Sequence, residues 1–158
     1  NPGVILGAGS WHTGSGAIFK LAHKGMSYFT SGSIAVVDVR DVVLAMQGLM
    51  NSDLKNERYI LVGATLSYKE FTKELALAFD KNPPKKEIAE WKLLLISSID
   101  GLVSSLFGTK RKLQKANVKS LYTRSNYNAH KIEKALSFSF TPVSQTIKRV
   151  ASDYKSEH

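Results

Sequence analysis

An apolar segment that runs into a glycine-rich loop opens the chain and limits what the chain can fold into. Val4, Ile5 and Leu6 are residues of strand type, and glycines follow at positions 7, 9, 14 and 16. A fully apolar run of this kind is typical of a strand buried between neighbouring strands. We therefore expect a first strand that needs partners on both sides, as in one piece of a larger α/β protein.

Composition narrows the class of protein. With 158 residues and an apolar fraction of 43%, the chain can form one domain with its own core. It has no cysteine, which excludes disulfides, thiol catalysis and cysteine-based zinc sites and favours a cytoplasmic protein. Its four histidines lack the spacing of metal ligands, so we expect no metal site, and no signal peptide is expected at the N-terminus.

The basic charge of the chain is unevenly distributed. The net charge is +9, and residues 108–134 hold eight Lys or Arg side chains against Glu133 alone. Such a run can attract a nucleic acid, an anionic lipid or an anionic ligand. Only Tyr122 and Tyr127 interleave with it, which is a weak pattern for stacking on single strands. We interpret the run as a solvated helical face and expect neither nucleic acid nor membrane as a partner. A basic module that binds a nucleic acid or another anion is the alternative.

Apolar spacing and capping signals indicate an α/β fold with few strands and a mainly helical lobe. Asp41 is predicted to cap a helix, and Ser67 with Glu70 forms a capping box. Residues 63–66 are expected to turn directly into that second helix. Helices are predicted over residues 17–24, 42–50, 68–79, 88–107, 116–122, 129–136 and 143–154, and strands over 4–6, 28–29, 34–39 and 59–62. We expect a single region, with sheet-edge strands and helices in residues 1–66 and the helical lobe in residues 67–158.

The glycine-rich loop at residues 7–16 departs from both common phosphate-binding fingerprints. His12 stands where the dinucleotide fingerprint requires a glycine, and no Lys-Ser or Lys-Thr pair follows. A glycine-rich turn entering a helix can still offer backbone N–H groups to an anion, and Ser15 can add a hydroxyl. The simpler interpretation is a plain connection from strand to helix.

Two further patterns imitate catalytic sites. Tyr127 and Lys131 have the Tyr-x-x-x-Lys spacing with which short-chain dehydrogenases protonate a carbonyl oxygen. Because no strand and Pro-Gly turn follow, we interpret this spacing as a chance match. Asp38 and Asp41 are spaced like a carboxylate pair, but we expect Asp41 to cap a helix and Asp38 to end a strand.

The apolar segment 88–107, followed by three basic residues, is long enough to consider as a helix on a membrane surface. Glu90, Lys92 and Asp100 interrupt it, and a full span needs about 20 apolar residues. Packing into a core, or covering another domain, is the preferred interpretation.

Four motifs in series resemble a known family. They are Asn1-Pro2-Gly3-Val4-Ile5-Leu6-Gly7, Val37-Asp38-Val39-Arg40-Asp41-Val42-Val43, Glu57 to Leu61 with Ser67 to Phe71, and Leu136 to Pro142. Their order and spacing resemble the C-terminal part of an extended short-chain dehydrogenase/reductase, in the dihydroflavonol-reductase-like and NAD-dependent epimerase/dehydratase branch. The resemblance covers nearly the whole chain.

This resemblance implies a parent enzyme in two parts that uses NAD or NADP. A Rossmann half, absent from this sequence, would carry the glycine fingerprint and the catalytic Ser and Tyr-x-x-x-Lys. The present part would bind a small-molecule substrate, and the parent would act on a carbonyl or alcohol group. A sugar-nucleotide epimerase or dehydratase is the near alternative. We expect the chain alone to be inactive and, with its first strand uncovered, to self-associate as a homo-oligomer.

The resemblance also assigns site residues. None of the family's catalytic residues falls within the chain. Cofactor contact is expected at Asn1, Pro2, Gly3, Val4 and Ser15. Substrate contact is expected at Ser10, Trp11 and His12.

Overall fold

The computed structural model describes residues 1–107 and 115–158. In these ranges the chain alternates short strands with helices and ends in helices alone. The elements are β1 (Val4–Leu6), α1 (Gly14–Lys24), β2 (Tyr28–Phe29), β3 (Ser33–Asp38), α2 (Val39–Met50), β4 (Ala64–Ser67), α3 (Tyr68–Ala78), β5 (Lys86–Glu87), α4 (Glu90–Phe107), α5 (Lys115–Ser120), α6 (His130–Leu136) and α7 (Val143–Glu157).

A three-stranded sheet organises the molecule, with β3 between β1 and β4. β1 runs parallel to β3, with Val4 opposite Val36, and β4 runs antiparallel to β3. β2 and β5 form a separate parallel pair. Just before β1, Pro2 forms a parallel bridge with Leu61, so the first residues of the chain pair with the segment around Leu61.

The sheet has an apolar core on each face because alternate residues of β3 point in opposite directions. Ile34 and Val36 pack with α1, α3 and α7 in the larger core, which contains Phe19 and Phe71. Val37 packs on the other side with residues of α2, α6 and the segment 59–61. The result is a layered α/β arrangement, as the sequence predicts.

Most of the predicted elements are present. Strand β1, the break at Gly25 and the Ser67–Glu70 capping box all occur as predicted. Helix α4 covers nearly the predicted range. Among its side chains that the structure describes, Trp91, Leu95 and Ile99 are each more than half exposed. These three side chains lie outside the core, and the alternative, that the helix covers another domain, stays a prediction. No helix in the described ranges is both long and apolar enough to cross a membrane.

Two strand predictions were wrong. Residues 59–62 are buried as expected at Tyr59, Leu61 and Val62, but they pair through a single bridge instead of a full strand. Residues 64–67, expected to turn straight into a helix, form β4 against β3. The short segment contains no strong strand signal, and its pairing with β3 is a tertiary effect.

The cap of α2 also differs from the prediction. Asp38, not Asp41, caps this helix and accepts a hydrogen bond from the Arg40 backbone N–H at 2.8 Å. Asp41 lies in the first turn and accepts both the backbone N–H and the hydroxyl of Thr141. The helix thus begins directly where β3 ends.

Part of the basic run, including Lys110, lies outside the described residues.

Candidate functional site

A cavity of about 630 Å³ lies where the first residues of the chain meet the start of β3 and the segment after α5. We call it the main cavity. It is lined by Asn1, Pro2, Gly3, Val4, Ser33, Ile34, Ala35, Ile60, Val62, Tyr68, Ser120, Thr123, Ser125 and Tyr127. Its volume suits a small ligand or one end of a larger one.

The wall formed by residues 120–125 is tied to β3 by backbone hydrogen bonds. Gly32 N–H donates to the Leu121 carbonyl at 3.1 Å, and Ser33 N–H donates to the Thr123 carbonyl at 3.0 Å. The Ser33 hydroxyl donates to the Ser125 carbonyl and accepts from the Ser125 N–H. A side chain at position 32 would place its Cβ 2.4 Å from the Leu121 carbonyl oxygen, so this approach requires glycine. The wall is therefore fixed by the main chain.

The lining of the main cavity combines apolar side chains with hydroxyl groups. Among the described residues that line it, none has a charged side chain. Burial raises the pKa of the Tyr68 phenol above its usual value, so this group is neutral at pH 7 and can donate a hydrogen bond. Such a lining can hold and orient an uncharged group.

A second cavity of about 340 Å³ adjoins the main cavity and shares Val62 and Tyr127 with it. It is more polar and is bordered by residues 62–65, 126–130 and Glu133. The Thr65 hydroxyl oxygen is buried and has no hydrogen-bond partner. A buried unpaired hydroxyl is costly.

The structure divides the residues predicted to contact cofactor and substrate into two groups. Asn1, Pro2, Gly3 and Val4 all line the main cavity. The loop residues Ser10, Trp11, His12 and Ser15 do not line it. Of the residues that the family resemblance assigns, those of the first segment lie at the main cavity and those of the loop do not.

The loop residues have other partners. Trp11 is 5% exposed, and its indole N–H donates to the Glu157 carboxylate while its ring packs edge-on against Tyr154. His12 pairs with Lys20 on α1 at 3.1 Å. Trp11 therefore packs in the core against α7. Sequence alone does not show that α7 returns to cover this residue.

Gly7 and Gly16 of this loop permit close packing, whereas Gly9 and Gly14 have open space around them and adopt φ values of 153° and 57°. A Cβ at Gly16 would lie 2.1 Å from the Ser10 carbonyl oxygen. The start of α1 has no side-chain cap from Thr13, and no acidic residue lies in its first turn. The loop is built as the plain connection from strand to helix that the sequence favours.

The two patterns that imitate catalytic sites have structural partners. Asp38 is bound by the guanidinium of Arg149 at 2.7 and 2.8 Å and by the Thr146 hydroxyl at 2.8 Å. Burial alone would raise the pKa of Asp38, but the hydrogen bonds from Arg40, Arg149 and Thr146 outweigh it and lower the pKa below its usual value. The carboxylate therefore stays ionised and holds α7 to the end of β3.

Tyr127 and Lys131 have different neighbours. Tyr127 borders both cavities and is half exposed. The Lys131 ammonium is bound by Glu57, which raises the pKa of the lysine, and lies 5.0 Å from the centre of the Tyr59 ring. Lys131 is thus engaged away from the tyrosine, in line with the chance-match interpretation.

Several lining residues could not be found from the sequence. Ser120, Thr123 and Ser125 belong to no motif, and they reach the cavity because residues 120–125 return to the start of β3. Tyr68 lies within the Ser67 to Phe71 motif, but nothing in that motif assigned it to a site. Within the described part of the chain, no cluster of three His, Asp or Glu side chains could hold a metal ion.

No family model and no curated protein matches the chain. Solved structures do match. A nucleoside-diphosphate-sugar epimerase from Pseudomonas aeruginosa aligns with a TM-score of 0.74 at 17% identity, covering 99% of this chain and 47% of its own. The human epimerase family protein SDR39U1, crystallised with NADPH, aligns with a TM-score of 0.67 at 14% identity, covering 97% and 47%. A dTDP-glucose 4,6-dehydratase from Bacillus anthracis, in complex with NAD, aligns with a TM-score of 0.64 at 11% identity, covering 98% and 43%.

These likenesses establish the fold. The chain has the fold of the C-terminal portion of Rossmann-type epimerases, dehydratases and reductases, which confirms the predicted fold class. It spans about half the length of the structures it matches. Several of these neighbours were crystallised with NAD or NADPH.

Proposed function

We propose that the chain is the substrate-binding part of an NAD(P)-dependent oxidoreductase that acts on a carbonyl or alcohol group. The observation that carries the proposal is the main cavity, because Asn1, Pro2, Gly3 and Val4 line it. These are the residues that the family resemblance places against the nicotinamide. The same cavity offers hydroxyl groups that can orient a substrate beside the cofactor.

The chemistry then has to come from a second, Rossmann half. No charged side chain lines the main cavity among the described residues, and Tyr68 there has a raised pKa. A proton donor or acceptor suited to a carbonyl at pH 7 works best with a pKa near that pH. We infer that the Rossmann half supplies the Tyr-x-x-x-Lys pair and the glycine fingerprint, and that the chain alone does not transfer hydride.

The surface beside the main cavity supports docking of such a half. Val4, Ile5 and Ile60 are each more than one third exposed, and the pairing of residues 1–3 with Leu61 can continue in a longer sheet. Apolar side chains at an unpaired sheet edge favour pairing with another segment. In the absence of the other half, the same edge favours a homo-oligomer.

The lining of the main cavity favours an uncharged carbonyl compound, as in dihydroflavonol-reductase-like enzymes. A nucleoside diphosphate is normally held by Arg or Lys, and neither lines this cavity among the described residues. One observation favours the alternative, a sugar-nucleotide epimerase or dehydratase: the adjoining second cavity is polar and contains the unpartnered Thr65 hydroxyl.

A pair of variants on one helix tests whether the main cavity binds the substrate. The enzyme is assembled from this chain and the proposed Rossmann half, and carbonyl-dependent oxidation of NADPH is followed. Ser120→Trp fills the cavity from α5 and should raise KM for the carbonyl substrate by about tenfold or more, since pocket contacts of this size discriminate by 10- to 200-fold. The matched control Asn117→Trp changes an exposed residue of α5 that does not line the cavity and should leave KM unchanged. Equal KM values for the two variants would contradict the assignment.

A further inference from the structure

Three of the hydroxyl groups that line the main cavity have already used their hydrogen within the protein. The Ser33 hydroxyl donates to the Ser125 carbonyl at 3.0 Å. The hydroxyls of Ser120 and Thr123 donate to main-chain carbonyls of α5 at 2.8 and 3.1 Å. A hydroxyl has one hydrogen to donate and two lone pairs that can accept. These three groups can therefore accept a hydrogen bond from a ligand, but they donate one only by breaking a bond that the structure shows.

Tyr68 also lines the main cavity, and it keeps its hydrogen. Its hydroxyl makes no hydrogen bond within residues 1–107 and 115–158. The Tyr68 side chain packs against the larger core. Its backbone N–H donates to the Gly32 carbonyl at 3.1 Å, and Ser67 caps α3 directly before it. Packing and main-chain bonds thus hold this phenol in place before any ligand binds, which lowers the entropy cost of binding.

The other side chains of the lining that could donate are held less firmly. Tyr127 is 50% exposed and is not among the described residues that pack against either core. Ser33 holds Ser125 through its backbone N–H and carbonyl, which leaves the Ser125 hydroxyl free to rotate. Asn1, whose amide can also donate, is exposed. Tyr68 is therefore the donor that the protein itself fixes at the main cavity.

We propose that Tyr68 determines which compounds bind in the main cavity, by donating a hydrogen bond to an acceptor oxygen of the ligand. No charged side chain lines this cavity among the described residues, so the matching acceptor is a neutral oxygen such as that of a ketone. A ligand without such an oxygen leaves the phenol unpaired and gains nothing from it. This role for Tyr68 rests on the proposed function only in taking the main cavity as the substrate site, and it requires no turnover.

Two probes of nearly the same shape test this role with the full chain. Acetophenone has a carbonyl oxygen, and α-methylstyrene has a CH₂ group in its place. Binding is followed by NMR through the backbone N–H signals of Gly3, Ser33 and Ser125, three residues that line the main cavity. Tyr68→Phe keeps the ring and removes the donor. It should weaken acetophenone binding about fivefold, the effect of one neutral hydrogen bond, and leave the affinity for α-methylstyrene unchanged.

The matched control is Tyr28→Phe, which removes the hydroxyl of an exposed tyrosine of β2 that does not line the main cavity and should leave both affinities unchanged. An equal loss for both probes in Tyr68→Phe would mean that the residue acts through packing alone and would overturn the proposal. Unchanged acetophenone binding in that variant would overturn it as well, and so would the failure of both probes to shift the three signals.

The proposed function is judged separately, by turnover of the chain joined to the proposed Rossmann half. Turnover by the joined protein, together with unchanged acetophenone binding in Tyr68→Phe, would refute the role of Tyr68 alone. The predicted effect of Tyr68→Phe without turnover by the joined protein would refute the proposed function alone.

Discussion

Replacing Asp38 by Asn should destabilise the chain strongly, because this carboxylate joins three elements. It caps α2 through the Arg40 N–H, and it binds Thr146 and Arg149 of α7. Its side chain is only 1% exposed, whereas that of Arg149 is 23% exposed. The variant keeps the shape of the side chain but removes the charge that offsets the guanidinium.

The size of the loss follows from the burial of the pair. Removing one partner of a buried ion pair costs about 3–5 kcal/mol. Arg149 keeps some solvent and a second carboxylate, Asp153, at 3.6 Å, so the lower end of that range applies. We therefore expect Asp38→Asn to lower the free energy of unfolding by about 3 kcal/mol, a large share of the 5–15 kcal/mol that a domain typically has.

Urea unfolding followed by tryptophan fluorescence measures this loss. Trp11 is buried against Tyr154 of α7, so its emission reports the docking of that helix. The control is Asp80→Asn, which removes an exposed ion pair with Lys155 at 2.8 Å and should leave the urea midpoint nearly unchanged. If Asp38→Asn loses no more stability than Asp80→Asn, the account of this network is wrong.

The same variant has a defined pH dependence. Because the pKa of Asp38 is lowered in the folded state, its contribution is fully present above the unfolded pKa of about 3.9 and is lost as the pH falls through the folded value. The difference in stability between the unchanged chain and Asp38→Asn should therefore be constant from pH 7 to about pH 5 and should shrink below about pH 4. A difference that grows on acidification would contradict the sign of the shift.

Two further substitutions test local features by the same urea assay. Ser67→Ala removes the hydroxyl that accepts the Glu70 N–H at the start of α3 and should cost about 1 kcal/mol, whereas Ser67→Asp should retain most of the stability. Gly16→Ala should lower the free energy of unfolding by about 1–3 kcal/mol, because its Cβ would meet the Ser10 carbonyl oxygen at 2.1 Å and displace the loop. Gly9→Ala is the comparison: no atom lies within 4 Å of the added Cβ, but the φ of 153° is unfavourable, so its loss of stability measures backbone strain without crowding.

Local signals in the sequence predicted the elements but not how they meet. The capping box at Ser67, the stop at Gly25 and the apolar run of β1 depend on neighbouring residues, and these predictions were confirmed. The role of Asp38 depends on Arg149, 111 positions away, so no local pattern distinguishes it from Asp41 as a cap. Both aspartates turned out to hold distant segments in place.

In the candidate site, too, some residues could be predicted from local sequence and others depend on long-range contacts. The resemblance of the first segment led to one wall of the main cavity, at Asn1 to Val4. The opposite wall, at Ser120 to Ser125, is placed by backbone bonds from Gly32 and Ser33 and by the Arg124 side chain, which donates to the Ser31 carbonyl at 3.0 Å. No local pattern in the sequence reveals these long-range bonds. The exposure of Trp91, Leu95 and Ile99 on α4 could not be predicted either, because an apolar stripe looks the same in sequence whether it faces a core or solvent.

The central claim is that this chain binds the substrate while another half performs the chemistry. It is tested most directly by the rate of NADPH oxidation with a panel of ketones and aldehydes, measured for the chain alone and for the chain joined to the proposed Rossmann half. We predict no turnover by the chain alone and carbonyl-dependent turnover by the joined protein. Turnover by the purified chain alone, or a joined protein that binds no nicotinamide cofactor, would contradict the account.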